Sequence, residues 1–454
     1  MTRALPLLFF LTISSFADDW RMYLHDVAHL SVNKTETQIT AANAATLVPK
    51  WKSPLGHVIA AGSTVVDGRL FIGDWSGSFS ALDANSGSIL WQRNLGKTAE
   101  PPFPWCMAAT GVSSQATVID QTVYVGGGDA AVYSLDAVSG AVNWRIPLAN
   151  PNSRAYLWSS IMPLGRTLYF GLASLDDCPL VPGAAIRLDI DKPSKPTVRV
   201  LSPVDNPGGG IWSTPAIDTA TNTVYVTTGT GDQDPATNNW GSTLIALDGT
   251  SLNPKAVFKL PSFEPDIDIE WGSSPTLYQL EDGTKYVAAT GKDGVLYVLN
   301  RDDLTLAWSY KLAVGCVDPE QGCGSLSTPA FDGKLLYVGA GAPDPDGFDN
   351  GSVYAIDPVT QQAVWWHSLP GTVIAPVTLA NGVLYAGTLQ GAVAFDAQTG
   401  DRLWDDGGYG AIFSQPVVVN GMLYLTYVKG DVIAWSLPNA TTNSTPATPT
   451  MPQR

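Results

Sequence analysis

The sequence predicts an all-β protein, a single eight-bladed β-propeller with tryptophan-docking motifs, whose ring is closed by a strand near the N-terminus. The composition, a motif that returns along the chain and a last repeat that lacks one strand all predict this fold. Of 454 residues, 45% are hydrophobic and only 15% are charged, and the chain contains 44 Gly, 33 Pro and 15 Trp. Such a composition favours many short strands joined by tight turns over long helices.

The returning motif reads "ALDANSGSILW" at residues 81–91 and "AFDAQTGDRLW" at residues 394–404. Its acidic turn position recurs at intervals of 39 to 59 residues, at Asp83, Asp136, Asp189, Asp248, Asn300, Asp357 and Asp396. The acidic residue can begin a turn, the Gly can end that turn at positive φ, and the Trp opens the next strand. Strand pairs with Asp-Gly or Asn-Gly turns precede the motif, so each repeat predicts a four-stranded blade. The Trp can fill the wedge between neighbouring blades.

The final repeat explains how the ring can close. It stops at Pro438 without the turn and the Trp strand that end the other repeats. Residues 47–55 carry an isolated strand with Trp51 before the first full repeat, and this strand can complete the last blade. Closure hides strand edges that an open solenoid would expose. We therefore expect the propeller to cover residues 47–438, with residues 18–46 packed on it as an extension.

Both ends of the chain have the composition of segments outside the fold. Arg3 precedes an apolar run from Leu5 to Ile13 and then small residues up to Ala17, the layout of a secretory signal. That run is too short to span a membrane. We expect residues 1–17 to be a signal peptide, the protein to be secreted or periplasmic, and the Thr- and Pro-rich residues 439–454 to be disordered.

Charge and cysteine content exclude several classes of function. The net charge of −16 would repel nucleic acid and anionic lipid heads. Four cysteines in an oxidising compartment predict two disulfides, of which Cys316–Cys323 would close a local loop. The absence of CxxC and CxxCH argues against a zinc ribbon and against covalently attached haem, so an electron acceptor would have to be external. The four His residues suggest no Ser/His/Asp triad.

The repeated A-x-D-x-x-[ST]-G-x-x-x-W resembles the tryptophan-docking motif of the quinoprotein alcohol dehydrogenase-like propellers, whose catalytic members bind pyrroloquinoline quinone (PQQ). The stretches "WRMYLHDVAHLSVNKTETQIT", "GIWSTPAID" and "ATGKDGVLYVLNRDD" look most like the polyvinyl-alcohol-dehydrogenase-like branch. The resemblance implies PQQ and Ca²⁺ in the central channel and a carboxylate base that takes the alcohol proton as hydride passes to the quinone. It also implies a small-molecule or polymeric alcohol as substrate and an external electron acceptor such as a cytochrome c.

Carried over position by position, the resemblance implies a set of site residues. Trp212 matches the Trp that stacks on the cofactor, and Lys292 matches the Lys that contacts the quinone. In "DIEWGSSP", Asp268 and Glu270 take the two acidic places of the stretch that holds the catalytic base. Each residue also has an interpretation that needs no ligand. Trp212 would then be a core aromatic, Lys292 a solvated turn residue, and the two acids ordinary loop residues.

Other positions depart from the catalytic pattern. The metal-binding Glu of the family is replaced by Asp176 or Asp177, and its Asn ligand by Thr230, with Asp232 two residues on. The Arg that holds the cofactor carboxylates is replaced by Ser114. The disulfide between adjacent cysteines found in many relatives is absent, and Cys106 is expected to pair with Cys178 instead. These departures keep a second hypothesis open, a non-catalytic propeller that binds proteins or glycans.

Overall fold

The computed structural model describes residues 19–231, 239–261, 270–315, 322–344 and 350–438. Eight β-sheets form the blades of one closed ring, which confirms the predicted all-β, eight-bladed propeller. None of the helices in these ranges has the length and hydropathy needed to cross a lipid bilayer.

The chain enters the ring through β1 (Val32–Asn33), a 3-10 turn (Ala44–Thr46) and β2 (Val48–Pro54). The remaining strands follow in order, from the inner to the outer strand of each blade. The first four blades are blade 1, β3 (Thr64–Val66), β4 (Arg69–Gly73), β5 (Ser78–Asp83), β6 (Ile89–Asn94); blade 2, β7 (Thr117–Ile119), β8 (Thr122–Gly126), β9 (Ala131–Asp136), β10 (Val142–Pro147); blade 3, after a 3-10 turn (Pro151–Ser153), β11 (Ala155–Tyr156), β12 (Met162–Leu164), β13 (Thr167–Ser174), β14 (Ala184–Asp189), β15 (Thr197–Val200); and blade 4, β16 (Ala216–Asp218), β17 (Thr223–Thr227), β18 (Thr243–Asp248), β19 (Pro254–Lys259). The last four are blade 5, β20 (Thr276–Gln279), β21 (Lys285–Thr290), β22 (Val295–Asn300), β23 (Leu306–Lys311); blade 6, β24 (Ala330–Phe331), β25 (Leu336–Gly341), β26 (Asn350–Asp357), β27 (Gln362–Pro370); blade 7, β28 (Thr378–Ala380), β29 (Val383–Thr388), β30 (Gly391–Asp396), β31 (Arg402–Asp405); and blade 8, β32 (Val417–Val419), β33 (Met422–Tyr427), β34 (Asp431–Ser436).

The N-terminal strand closes the ring as predicted. β2 pairs antiparallel with β34, with Trp51 opposite Ala434, and becomes the outer strand of blade 8. The indole Nε1 of Trp51 then donates to the carbonyl of Ala84 in blade 1. The N-terminal strand therefore completes the last blade, and its Trp docks on the first blade, which closes the ring.

The Trp and Gly of the repeated motif contact each other across blades. Trp91 of blade 1 donates from Nε1 to the carbonyl of Ala137 in blade 2, at 3.1 Å. A Cβ added at Gly140 would lie 2.6 Å from Trp91 Cδ2, and Gly140 has a φ of 67°. The Gly is thus needed both for the backbone angle and for the close approach of the indole. The hydrophobic cores lie between blades, where buried side chains such as Phe71 and Tyr133 from adjacent blades pack together.

Residues 20–33 run around the inside of the ring and touch nearly every blade. Their backbone carbonyls accept from inner-strand N–H groups of six blades: Trp20 from Val65, Arg21 from Val118, Val27 from Ile217, Ala28 from Leu277, Leu30 from Phe331 and Ser31 from Leu379. Asn33 then donates from Nδ2 to the carbonyl of Val418 in blade 8. This segment therefore links the blades from inside, and its hydrogen bonds satisfy inner-strand N–H groups that no neighbouring strand pairs.

His29 is buried in this segment and makes stability depend on pH. Its Nδ1 lies 2.8 Å from the carbonyl of Pro275, and burial lowers its pKa from 6.5 to about 4. Because the unfolded chain binds the proton more readily, stability is lost as pH falls from about 6.5 to 4, by about 3 kcal/mol in total.

We predict that the variant His29→Gln will show a shallower loss of unfolding free energy across this pH range in denaturant titrations. Burial raises the pKa of nearby Asp26, which opposes the His29 effect, so the comparison with wild type isolates the histidine. Identical pH slopes for the two proteins would contradict the assignment.

Candidate functional site

The loops that carry the predicted site residues lie at one end of the ring, here called the upper face. Loops that lead into a new blade contact the loop between the second and third strands of the preceding blade or of their own blade. In blade 1, for example, the backbone N–H of Gly111 donates to the carbonyl of Trp75. Trp212 and Glu270 lie in loops of the first kind, and Thr230 and Lys292 in loops of the second kind. Equivalent positions in neighbouring repeats are thereby brought to one end of the ring.

Two glycine-containing loops place Trp212. The backbone N–H of Gly229 donates to the carbonyl of Gly210, and that of Gly209 donates to the carbonyl of Thr230. A Cβ added at Gly229 would lie 3.0 Å from Trp212 Cδ1 and 2.6 Å from Glu270 Oε2. The indole is partly buried. Gly229 is therefore the point where the aromatic ring and the carboxylate approach the same backbone.

Glu270 and Lys292 form an ion pair at this point. Lys292 Nζ lies 2.5 Å from Glu270 Oε1, with the two side chains only 11% and 9% exposed. The backbone N–H of Thr230 donates to Glu270 Oε2 at 2.8 Å, and the Thr230 hydroxyl lies 3.3 Å from the same oxygen. An ionised carboxylate has only acceptors, and here both its oxygens face donors. Trp212, Thr230, Glu270 and Lys292 thus converge between blades 4 and 5.

Asp293 fixes the turn that carries Lys292, and the sequence analysis did not identify it. Its carboxylate accepts from the backbone N–H of Val295 and from the hydroxyl of Tyr297. Burial raises its pKa above the usual 3.8. The K-D-G sequence is a turn signal that could have suggested such a role, since an Asp commonly bonds the backbone two residues on.

The other predicted residues belong to other blades or lie outside the described ranges. Asp176 and Asp177 are exposed, and Asp176 Oδ2 accepts from the backbone N–H of Met107. Ser114 is fully buried, and its hydroxyl lies within hydrogen-bond distance of the carbonyl of Gln115, so its match to the Arg position of the family stays a prediction. Asp232 and Asp268 fall outside the described residues. In the ranges given above, no group of three His, Cys, Asp or Glu side chains could hold a metal ion.

Arg154 and a disulfide hold a second part of the upper face together, and Arg154 was missed from the sequence. Cys106 is bonded to Cys178, as predicted. Cys323 is also disulfide-bonded, but Cys316 lies outside the described residues, so their pairing stays a prediction. Arg154, 1% exposed, donates to three backbone carbonyls, those of Ala99, Met107 and Cys178.

Comparison with known proteins identifies the family. The PQQ_2 family model, described as "Outer membrane protein assembly factor BamB", matches residues 35–178 and 270–443. The chain belongs to the PQQ_2 family. Among curated relatives of this PQQ_2 member, polyvinylalcohol dehydrogenase from Pseudomonas sp. is 24% identical over 81% of the chain, and that from Sphingopyxis sp. (strain 113P3) is 24% identical over 80%. The chain spans 64% and 65% of the length of these two relatives.

Solved structures support the fold of this PQQ_2 family member. A europium-containing methanol dehydrogenase superposes with a TM-score of 0.76 at 15% identity, covering 93% of this chain and 99% of that one. At this identity the similarity shows a common propeller architecture, while function must be argued from the site.

The described residues fit a flat quinone better than they fit a metal ion. Trp212 offers a partly buried aromatic side chain, Lys292 a cation, and Gly229 a backbone without the Cβ that would crowd both Trp212 and Glu270. For a metal, Glu270 and the Thr230 hydroxyl supply two oxygen donors at the same place, and within the described ranges no group of three His, Cys, Asp or Glu side chains includes them. A surface cavity of about 500 Å³ at the opposite end of the ring, near Asp67 and Gln121, contains none of the predicted site residues.

Proposed function

We propose that this chain is a PQQ-dependent oxidoreductase of the alcohol dehydrogenase-like type, which oxidises the hydroxyl group of a small or polymeric alcohol. The observation that carries the proposal is the convergence of Trp212, Thr230, Glu270 and Lys292 between blades 4 and 5. These residues come from four separate loops, and local sequence does not force their side chains together. The names of the relatives, polyvinylalcohol dehydrogenases, support a secondary alcohol as substrate.

Each residue has a distinct role in this proposal. Bound PQQ would supply a quinone carbonyl that accepts hydride from the alcohol carbon. Trp212 would be the aromatic wall that orients the cofactor, and the Lys292 ammonium would be the cation that holds it. Glu270 takes the proton of the substrate hydroxyl at one carboxylate oxygen, while the Thr230 N–H holds the other oxygen in place. Asp176, Asp177, Thr230 and Asp232 remain the predicted ligands of a Ca²⁺ ion, and Asp268 a second candidate base.

We further propose that the protein acts outside the cytoplasm and passes its electrons to an external acceptor such as a cytochrome c. The apolar run at residues 5–13 supports export, and the Cys106–Cys178 disulfide is typical of an oxidising compartment.

A reconstitution assay tests the proposal. The purified protein is incubated with PQQ and Ca²⁺ and supplied with 2-propanol or poly(vinyl alcohol) and an electron-accepting dye. We expect dye reduction that requires PQQ and that is lost in Trp212→Ala but kept in Trp366→Ala, which changes a half-exposed Trp on the outer strand of blade 6. Reduction that does not depend on PQQ, or none at all, would contradict the proposal.

The alternative function, a binding scaffold, is favoured by one observation. Glu270 and Lys292 satisfy each other in an ion pair, so their burial can be explained without a ligand. The description of the family model as an assembly factor is consistent with it. Under that hypothesis the protein would be inactive with every alcohol in the reconstitution assay, and Trp212→Ala would affect only stability.

The variant Gly229→Ala tests the geometry of the site with one methyl group. The added carbon would lie 2.6 Å from Glu270 Oε2 and 3.0 Å from Trp212 Cδ1, so one of them must move, at a cost of about 1–3 kcal/mol. We expect PQQ affinity to fall about tenfold or more while the circular dichroism spectrum stays that of a β-propeller. Unchanged PQQ affinity would show that the cofactor does not use this part of the upper face.

A further inference from the structure

Two aromatic side chains project from the upper face and are open to solvent. Phe103 and Trp105 stack with ring centroids 4.8 Å apart and an angle of 2° between their planes. Trp105 is 75% exposed and Phe103 is 50% exposed. A stacked pair with an open indole face is unusual on the surface of a protein whose other Trp residues mostly dock between blades or lie at the site.

The loop that carries this pair is anchored on both sides of the two rings. Cys106, directly after Trp105, is bonded to Cys178 of blade 3. The buried Arg154 guanidinium donates to carbonyls on both sides of the pair, Ala99 and Met107, and Asp176 accepts from the Met107 N–H. The two rings are therefore preorganised, and a ligand that covers them would lose little affinity to the ordering of this loop.

A chain of contacts connects the aromatic pair to the candidate site across the upper face. Asp176 and Cys178, which hold the loop of Trp105, follow directly after β13. At the end of β13, a Cβ added at Gly210 would lie 3.0 Å from Ala173 Cβ. Gly210 in turn precedes Trp212 by two residues. The aromatic pair and Trp212 thus lie on the same face, linked through the loop that follows β13 in blade 3.

The size and charge of this surface determine what it fits. Two exposed rings offer far less apolar area than the roughly 1,200 Å² that a specific protein interface usually buries. The protein carries a net charge of −16, which would repel an anionic chain. A thin neutral chain rich in C–H and hydroxyl groups suits both features, because C–H groups pack on the electron-rich face of an indole.

We propose that Phe103 and Trp105 form a binding platform for a neutral polyhydroxylated polymer, and that it holds the polymer chain while one of its hydroxyl groups enters the candidate site. The choice of a polymer rests on the proposed function, whereas binding at the platform requires neither PQQ nor catalysis. Contacts remote from the reacting hydroxyl would raise the effective concentration of further hydroxyls of the same chain near the site.

The test measures binding in the absence of cofactor. Wild type and variants are run in native gels cast with increasing poly(vinyl alcohol), or with dextran as a second neutral polyol. We expect poly(vinyl alcohol) to retard the wild type, and Trp105→Ala to require about tenfold more polymer for the same retardation. Trp105→Phe should recover most of the effect, and Trp366→Ala, an exposed Trp stacked on Tyr354 of blade 6, should behave as wild type.

Several results would overturn the platform: no retardation of wild type by poly(vinyl alcohol), retardation by dextran alone, equal retardation of Trp105→Ala and wild type, or an equal loss in Trp366→Ala. The outcome is separable from that of the proposed function. Polymer binding through Trp105 in a protein that fails to bind PQQ would leave the platform standing and refute the dehydrogenase, and PQQ-dependent oxidation of 2-propanol without polymer binding would do the reverse.

Discussion

Replacing Glu270 with Gln is expected to lower PQQ-dependent alcohol oxidation about 100-fold or more, the usual contribution of a positioned general base. The amide keeps the shape of the carboxylate but cannot take up the substrate proton. It also presents an NH₂ group to one of the two donors, Lys292 Nζ or the Thr230 N–H, that now face carboxylate oxygens. The rate constant for oxidation of 2-propanol at saturating PQQ is the quantity to measure.

Two controls separate the loss of a base from a loss of cofactor. PQQ affinity is measured for the same variant, so that the rate constant is compared at equal occupancy. Glu281→Gln changes an exposed acid in the turn between β20 and β21 and should leave the rate unchanged. A wild-type rate constant in Glu270→Gln would remove Glu270 as the base and leave Asp268 as the candidate.

Removing the disulfide in the double variant Cys106→Ser and Cys178→Ser is expected to lower the free energy of unfolding by about 4 kcal/mol. The bond joins residues 72 positions apart, and in the chain-entropy model a loop of that length confers a large stabilisation. Denaturant unfolding at constant pH measures the difference, and the double variant avoids a free thiol. A loss below about 1 kcal/mol would show that the three hydrogen bonds of Arg154 hold this part of the upper face without the covalent bond.

The fold was predictable because its repeats are local. The motif from Asp83 to Trp91 specifies a turn and a docking side chain within a few residues, and the surplus strand at Trp51 matched the strand missing after β34. The same regularity made the convergence at the site predictable in part. Trp212 and Glu270 occupy equivalent loops of successive repeats, as do Thr230 and Lys292, so the ring places them side by side.

What could not be predicted depends on contacts that no repeat encodes. Arg154 donates to carbonyls from two distant loops, and backbone carbonyls leave no signature in a sequence. Residues 20–33 pair with inner strands of successive blades through their main chain, so their side chains gave no indication of this path. Ser114 was assigned by its match to a family position, and the match alone did not show that its side chain is fully buried.

Equilibrium titration of the purified protein with PQQ, followed by cofactor absorbance in the presence of Ca²⁺, decides whether the upper face is a quinone site. We expect saturable binding of one PQQ per chain, weakened at least about tenfold in Trp212→Ala, where the aromatic wall is lost, and unchanged in Trp366→Ala. Absence of saturable binding by the wild type, or equal binding by wild type and Trp212→Ala, would contradict it.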